Sequence, residues 1–216
     1  MRASLRFDTV QRLMVSPFYF IIGALTIAPV KLLYRLRARG KENLPASGGY
    51  VLSANHLSNL DPWPLGLPLW PKRQVRFMAK SELFRPPLWP ILKLAGAFQV
   101  RRGYGDEGAI KTAVALARAG EVVAIFPEGT RREKGLLRRR RARPHTGAAR
   151  IALEAGVPLI PAAIAGTDRL LRMGPLRVVY GPAVELDDLR DGDVRKAARV
   201  ATERLMTAIH DLEASL

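Results

Sequence analysis

The stretch YVLSANHLSNLDP, residues 50–62, joins an apolar run to a polar loop and decides which fold the chain can form. Residues 50–54 are almost entirely apolar, which is typical of a strand buried on both faces of a sheet. A polar loop that contains His56 and Asp61 follows at once. Asp61 precedes Pro62, and such a pair favours a helix start, because Asp caps the first turn and proline needs no donor there. The stretch therefore predicts a strand, a loop and a helix.

The chain after Gly40 repeats this alternation of apolar strands and helices. Fully apolar strands that alternate with helices indicate an α/β domain with a mainly parallel central sheet flanked by helices. Sites in such sheets gather at the carboxyl ends of the strands. The predicted strands are residues 50–54, 74–79, 97–101, 122–126, 158–164 and 177–181, and the predicted helices are residues 106–120, 146–156 and 193–216.

Residues 13–30, near the N-terminus, carry no charge and have basic residues on both flanks. A membrane span needs about 20 apolar residues, so this run is at the lower limit, and two prolines and a glycine interrupt it. We predict a hairpin or re-entrant helix that enters one leaflet, with its flanks on the lipid headgroups; a buried core helix is the alternative. The chain is thereby divided into a membrane-associated N-terminal helical segment, residues 1–39, and an α/β domain, residues 40–216.

The composition points to an anionic partner. The 216 residues include 35 Lys and Arg against 19 Asp and Glu, a net charge of +16, which suits nucleic acid, acidic lipid or a phosphorylated substrate. Nucleic-acid binding is disfavoured, because the basic residues are not interleaved with aromatic ones and no known binding module is visible. The absence of cysteine excludes disulfides and thiolate nucleophiles, and the spacing of the histidines does not suggest zinc.

A second polar motif, FPEGTRR at residues 126–132, also follows an apolar strand. Loops that leave two parallel strands at the same edge of a sheet converge, so this motif and the His56 loop predict one cleft. Taken alone, the motif could be an ordinary turn with solvated arginines. The basic run that continues from it, residues 131–143, is either a solvated loop or a binding surface for anionic lipid or coenzyme A phosphates.

Four sequence blocks, in order, resemble the motifs of the glycerolipid acyltransferases, and most closely those of the PlsC-type 1-acyl-sn-glycerol-3-phosphate acyltransferases. The resemblance extends from about Arg39 to Gly181, and the first and third blocks together are highly specific. The blocks are Asn55-His56-x-Ser58-x-x-Asp61, GAFQVRRG (96–103), FPEGTRR (126–132) and VPLIPAAI (157–164).

Two positions depart from the pattern of that family. Arg101 stands where an acidic residue usually precedes the arginine of the second block, here Arg102. His145, Thr146 and Gly147 stand where a lysine usually lies near the glycine. These differences concern the acceptor and the donor, not the chemistry.

The resemblance implies transfer of a fatty acyl group from an acyl thioester to the free sn-2 hydroxyl of 1-acyl-glycerol-3-phosphate, which gives phosphatidic acid for phospholipid biosynthesis. The donor would be acyl-CoA or acyl carrier protein, without a cofactor or metal. Glycerol 3-phosphate or an amino-acid-derived lyso-lipid is the alternative acceptor. A hydrolase is disfavoured, because there is no serine nucleophile elbow. The implied location is the cytoplasmic face of the cell membrane, as a monotopic or peripheral protein in contact with anionic lipid.

The resemblance also assigns roles to individual residues. Imidazole, with an ordinary pKa near 6.5, suits removal of the hydroxyl proton, and a carboxylate on its other nitrogen would fix the ring, as in a Ser-His-Asp triad. No nucleophile of the enzyme is evident, so direct transfer is expected. The expected catalytic residues are His56 and Asp61, supported by Asn55 and Ser58; the expected substrate-binding residues are Arg131 and Arg102 on the phosphate, the Gly129 and Thr130 amides, and Glu128 on Arg131 or a glycerol hydroxyl.

Overall fold

The computed structural model describes residues 16–100, 106–129 and 144–216. In these parts the chain forms one seven-stranded sheet with helices on both faces. The strands are β1 (Arg37–Arg39), β2 (Tyr50–Ala54), β3 (Val75–Lys80), β4 (Phe98–Val100), β5 (Val122–Ile125), β6 (Leu159–Ala165) and β7 (Arg177–Tyr180). The α-helices are α1 (Pro17–Leu33), α2 (Pro62–Gly66), α3 (Leu88–Leu94), α4 (Glu107–Arg118), α5 (Gly147–Ala155) and α6 (Val194–Ala214), and 3₁₀ turns cover Lys41–Asn43, Leu67–Leu69, Ser81–Leu83, Thr167–Arg172 and Asp187–Leu189.

The sheet is mainly parallel, which confirms the predicted fold class. Its order is β1-β7-β6-β2-β5-β3-β4, with β2 in the middle and paired in parallel with both β5 and β6. The β6–β7 pair alone runs antiparallel among the described strands, and β1 pairs in parallel with β7. The six predicted strands and three predicted helices are present with ends shifted by one or two residues.

Strand β1 is the element of the sheet that the sequence pattern did not predict. It is three residues long and contains two arginines, so it has no apolar period of its own. Its register, Arg37↔Arg177 to Arg39↔Val179, is set by pairing with β7. It falls within residues 1–39, which the sequence assigned to the N-terminal segment; the division of the chain at residue 39 stays a prediction.

Two apolar layers hold the helices against the sheet. Successive strand residues point to opposite faces, so Val51 and Leu52 belong to different layers. The layer that contains Val51 is covered by α4, α5 and α6. The layer that contains Leu52 is covered in part by α2, with α1 lying outside it. The central strands β2, β5 and β6 are thereby buried on both faces, as their apolar composition requires.

Helix α1 lies along the sheet domain with one side packed and the other exposed. The Ser16 hydroxyl caps it by accepting from the Tyr19 amide at 3.2 Å. Gly23 lies so close to the Trp70 ring that a Cβ there would collide with it, and Val30 is buried. Its outer side exposes large apolar residues, which are Phe20, Ile21, Ile22, Leu25, Leu32 and Leu33.

The N-terminal apolar run was predicted to form a hairpin or a re-entrant helix. Within Pro17–Leu33 the hairpin is wrong, because the chain continues as one helix. Contact of this helix with one leaflet stays a prediction. Residues 13–15 lie outside the described residues. Of the helices the structure describes, none combines the length and apolarity that crossing a bilayer needs.

Candidate active site

The loop after β2 holds His56 and Asp61 together. His56 Nδ1 lies 2.7 Å from Asp61 Oδ2, and both side chains are largely buried. The same Oδ2 accepts from the backbone amides of Leu57 at 2.6 Å and Ser58 at 2.8 Å. The loop thus folds around a single carboxylate oxygen. This confirms that the two side chains meet.

These contacts determine which nitrogen of His56 carries a proton. Asp61 Oδ2 already accepts two N–H groups, so its third partner is also a donor. His56 therefore donates from Nδ1, and the neutral ring presents an unprotonated Nε2. A carboxylate on Nδ1 that leaves Nε2 free to take a proton is the arrangement of a general base.

Asp61 was predicted to cap the following helix, and that part of the prediction is wrong. It occupies the N-cap position of α2, but its side chain makes no hydrogen bond to the first turn, and its backbone is helical. The reason is that Oδ2 is directed back at the His56 loop. Its other oxygen, Oδ1, is buried and accepts no hydrogen bond from the described residues.

The second motif meets the first, as predicted. Strands β2 and β5 pair in parallel with Ser53 opposite Ile125, so both loops leave the same edge of the sheet. The Ser53 hydroxyl donates to the Ile125 carbonyl at 3.0 Å, which ties the two strand ends together. The His56 ring stacks on Phe126, with centroids 4.3 Å apart and planes 16° apart. Phe126 and Asp61 together fix the plane of the imidazole.

Asn55 and Ser58 hold the loop from outside the pair. Asn55 is fully buried; its side-chain N–H donates to the Ile164 carbonyl at 3.0 Å, and its oxygen accepts from the Ile164 amide at 2.8 Å. The loop is thereby fastened to β6. The Ser58 hydroxyl accepts from the Leu60 amide at 3.3 Å, and the Ser58 carbonyl accepts from the Asp61 amide at 3.1 Å. Both residues shape the loop, in agreement with the supporting geometry expected of them.

The FPEG turn brings a histidine that sequence reasoning did not select. Gly129 has φ +67°, and its amide donates to the Phe126 carbonyl at 3.1 Å. That amide is therefore engaged within the turn. The sequence had instead predicted that it would donate to the substrate. The His145 amide donates to the Pro127 carbonyl at 2.8 Å, and its ring lies where a Cβ on Gly129 would be.

His145 precedes α5 and stands beside the turn that carries Glu128. The signal that could have identified His145 was its position, because the family pattern usually has a lysine near the glycine there. This difference was given no functional role from the sequence. Glu128 is half-buried in the same turn. Arg102, Thr130, Arg131 and the basic run up to residue 143 lie outside the described residues.

The described residues offer no set of three histidines, cysteines or carboxylates that could hold a metal. Among them, no serine hydroxyl hydrogen-bonds the His56 ring; those of Ser53 and Ser58 are engaged with Ile125 and Leu60. The site therefore consists of a base, a carboxylate that orients it and an adjacent glycine turn.

An α/β fold with a histidine–carboxylate pair at the carboxyl end of its central strand has the arrangement that enzymes acting through a general base require. Comparison with known proteins narrows the class. The family model described as "Acyltransferase" matches residues 35–165, more than half of the chain. The chain belongs to this acyltransferase family.

Individual relatives agree with this assignment. The chain is 33% identical over 185 residues to a protein of Bacillus subtilis named 1-acyl-sn-glycerol-3-phosphate acyltransferase. This match covers 84% of the chain and 89% of the relative. It is 32% identical over 173 residues to a probable 1-acyl-sn-glycerol-3-phosphate acyltransferase of Mycoplasma pneumoniae, covering 76% of this chain and 57% of that protein.

A solved structure shares the fold. The crystal structure of the 1-acyl-sn-glycerophosphate acyltransferase PlsC from Thermotoga maritima aligns with a TM-score of 0.58, covering 99% of this chain and 98% of the other. The two sequences are 18% identical, so this likeness concerns the fold alone.

Proposed function

We infer that this chain is a 1-acyl-sn-glycerol-3-phosphate acyltransferase, which transfers a fatty acyl group from an acyl thioester to the sn-2 hydroxyl of its acceptor and makes phosphatidic acid. The observation that carries the inference is the 2.7 Å contact between His56 Nδ1 and Asp61 Oδ2, in a chain of this family. The extent of the B. subtilis relative, 89% of whose length is matched, supports extending the activity to the whole chain.

His56 acts as the general base in this proposal. The acceptor hydroxyl gives its proton to Nε2 as its oxygen bonds to the thioester carbonyl carbon. The carbon–sulfur bond then breaks, and the proton leaves with the sulfur as a free thiol. General acid–base help of this kind contributes about 10²- to 10⁴-fold to a rate.

Asp61 has two tasks in this step. Its bond to Nδ1 keeps the lone pair on Nε2, and its negative charge stabilises the imidazolium that forms. The amides of Leu57 and Ser58 fix the carboxylate itself. The stack on Phe126 limits rotation of the ring about its remaining axis. The base is thus held in one orientation before substrate arrives.

Direct transfer, without an acyl-enzyme, fits the side chains near the base. The sequence has no cysteine, and the described serines near His56 are engaged elsewhere. The attacking group is therefore the hydroxyl of the acceptor. Both substrates must be bound at once, which predicts sequential and not ping-pong kinetics.

The acceptor phosphate is assigned to residues at and after the glycine turn. We propose that Arg131 binds it through two parallel N–H bonds, with the Thr130 amide and Arg102 as further donors. Glu128 then orients Arg131 or accepts from a glycerol hydroxyl. Gly129 contributes through its φ of +67°, which lets the chain turn away from the sheet close to His145.

We propose that the enzyme works at the cytoplasmic face of the membrane, where acyl thioesters are available. Support comes from the exposed apolar side of α1 and from exposed Trp89, Ile91 and Leu94 on α3. The two helices meet, since the Ser16 hydroxyl donates to the Leu94 carbonyl at 3.4 Å. Exposed apolar side chains on two adjoining helices, with basic residues nearby, suit a leaflet that contains anionic lipid.

Activity measurements on His56→Ala and Asp61→Asn test the base. With labelled acyl-CoA and 1-acyl-glycerol-3-phosphate, His56→Ala should lose at least about 10²-fold in kcat, because the proton has no acceptor. The matched control is His210→Ala, which removes a histidine from α6 and should retain full activity. A His56→Ala enzyme that keeps its fold and its rate would refute the mechanism.

The acceptor is tested separately with Arg131→Lys and a panel of acceptors. Arg131→Lys should raise KM for the phosphate-bearing acceptor more than KM for the donor, because an ammonium cannot replace the planar fork. Selective loss of donor affinity would reassign Arg131 to coenzyme A. Turnover of glycerol 3-phosphate in preference to its acylated form would change the acceptor but not the base.

A further inference from the structure

A cavity of about 340 Å³ lies between α1, the edge strand β1 and the 3₁₀ turn Leu67–Leu69. Its size is in the range of small-ligand sites. Its lining mixes polar and apolar surface, and the apolar side chains of Ile27, Leu67 and Trp70 contribute to it. Its charged lining residues are Lys31 and Lys41. The cavity therefore places two cations beside several apolar side chains.

The sheet topology separates this cavity from the His56 site. Strand β1 is parallel to β7, β7 is antiparallel to β6, and β6 is parallel to β2. Strand β1 therefore runs opposite to β2, and Lys41, which follows the end of β1, lies at the edge of the sheet away from His56. The acyl-transfer step makes no use of either lysine.

The two lysines have no anionic partner among the residues that the structure describes. In the parts of the chain that are described, no carboxylate forms an ion pair with Lys31 or Lys41. Glu42, next to Lys41 in the chain, is exposed. Partial burial lowers the pKa of Lys41, and the charge of Lys31 lowers it further. Two like charges thus line one cavity, and an anion bound near both would relieve their repulsion.

We propose that this cavity binds the phosphate headgroup of an anionic membrane phospholipid, with the phosphate near Lys31 and Lys41 and the glycerol and first methylenes beside Ile27 and Leu67. The position of the cavity favours lipid over a free anion, since Ile27 and Lys31 belong to α1, whose outer side is exposed and apolar. A headgroup in the cavity would leave its acyl chains beside that surface. The inference rests on the membrane placement proposed above.

Titration with phosphatidylglycerol that has short chains, kept below its micelle concentration, tests the cavity without a bilayer. This lipid is neither the acceptor nor the product of the reaction. The full chain should bind it saturably, and Lys31→Gln/Lys41→Gln should weaken binding about thirtyfold. The control Lys111→Gln/Lys196→Gln removes the same charge from α4 and α6, on the other face of the sheet, and should bind like the original chain.

A second variant tests the shape of the cavity independently of charge. Ala38→Leu adds volume to the cavity wall and leaves both lysines in place. It should also lower the affinity for the short-chain lipid by about tenfold, while turnover of a water-soluble acceptor stays unchanged. If this variant fails to fold, as judged by circular dichroism, the titration of Lys31→Gln/Lys41→Gln alone tests the proposal.

The outcomes separate the cavity from the membrane proposal. If vesicles with phosphatidylglycerol bind the protein but neither variant lowers short-chain lipid affinity, the cavity assignment is wrong and the membrane placement stands. If vesicles do not bind while the short-chain lipid does, the membrane placement is wrong. Inorganic phosphate bound as tightly as the lipid would overturn the lipid assignment in favour of a free anion.

Discussion

Helices α1 and α6 lie on opposite faces of the same sheet, and the sides that they turn away from the sheet differ in polarity. Helix α6 is amphipathic: its buried side includes Ala201, Leu205 and Ile209, and its outer side is mostly polar. Helix α1 is apolar nearly all round and buries only Gly23 and Val30. Both helices pack on one side, so packing cannot explain the difference between their outer sides.

The difference in polarity indicates different surroundings for the two outer sides. A polar outer side is the normal condition of a helix in contact with water. A contiguous row of exposed large apolar residues marks an interaction surface. On α1 the row includes Leu32, 79% exposed, and Leu25, 66% exposed. The outer side of α1 therefore suits an apolar partner, which the proposed contact with the membrane would supply.

Removing the apolar outer side of α1 should have the largest effect. Leu25→Gln/Leu32→Gln should lower partitioning to phospholipid vesicles by about 10³-fold, because each buried leucine contributes about 2 kcal/mol. Vesicle co-sedimentation measures this. The paired control is Val194→Gln/Val200→Gln, which removes exposed apolar residues from α6 and should leave partitioning unchanged. Equal losses in the two variants would remove the distinction between the helices.

Truncating the buried side of α6 should have the next largest effect, this time on stability. Leu205 is fully buried in the layer beneath α4, α5 and α6. Leu205→Ala should reduce the free energy of unfolding by about 2–5 kcal/mol, through lost burial and the cavity left behind. Urea unfolding measures it. Leu25→Ala on the outer side of α1 should change stability by no more than about 0.5 kcal/mol; a larger change would mean that Leu25 packs within the protein.

Gly23 tests how tightly the inner side of α1 docks. Alanine is intrinsically better than glycine in a helix by about 1 kcal/mol. A Cβ at position 23 would nevertheless collide with the Trp70 ring, so Gly23→Ala should destabilise the protein by about 1–3 kcal/mol. In α5, the Cβ of Gly147→Ala would meet only Ile110 Cδ1 at 3.7 Å and should be neutral or slightly stabilising. Increased stability of Gly23→Ala would show that α1 is loosely attached.

The smallest effect should come from the ion pair that joins α4 to α5. Arg150 donates to both oxygens of Glu107, at 2.6 and 2.7 Å, and these hydrogen bonds hold the pKa of Glu107 below its ordinary value. A carboxylate with a lowered pKa stabilises the fold above its unfolded-state pKa, and that contribution is lost as pH falls through the folded-state value.

Glu107→Gln should therefore lower Tm slightly at neutral pH, and the difference from the original chain should disappear in acid. Thermal unfolding across this pH range measures it. The comparison variant is Glu203→Gln on α6, an exposed carboxylate without an ion pair in the described residues, whose Tm difference should be near zero at each pH. A Glu107→Gln difference that grows in acid would contradict the assigned sign.

Much of the sheet could be predicted because its central strands are apolar on both faces. Residues 50–54 and 122–125 have no polar side to orient, so a position in the middle of a parallel sheet was the consistent choice. Strand β1 could not be predicted, since Arg37 and Arg39 carry no apolar pattern and pair only because β7 is beside them.

The site was predictable to the level of residue pairing and no further. Four residues separate His56 from Asp61, a spacing that allows both a capping aspartate and one that folds back. Asp61 folds back because its Oδ2 accepts hydrogen bonds from the Leu57 and Ser58 amides, a geometry that the spacing does not specify. The place of His145 beside Gly129 depends equally on tertiary structure, because the two are 16 residues apart along the sequence.

The sequence by itself determined the α/β class, the pair of motifs at one sheet edge and the apolar character of the N-terminal helix, because these follow from local composition and period. The tertiary structure alone decided that this helix is continuous and docks on Trp70, that Asp61 serves His56 instead of α2, and that Lys31 and Lys41 share a cavity. These features depend on which distant groups become neighbours, and only the packed chain specifies those contacts.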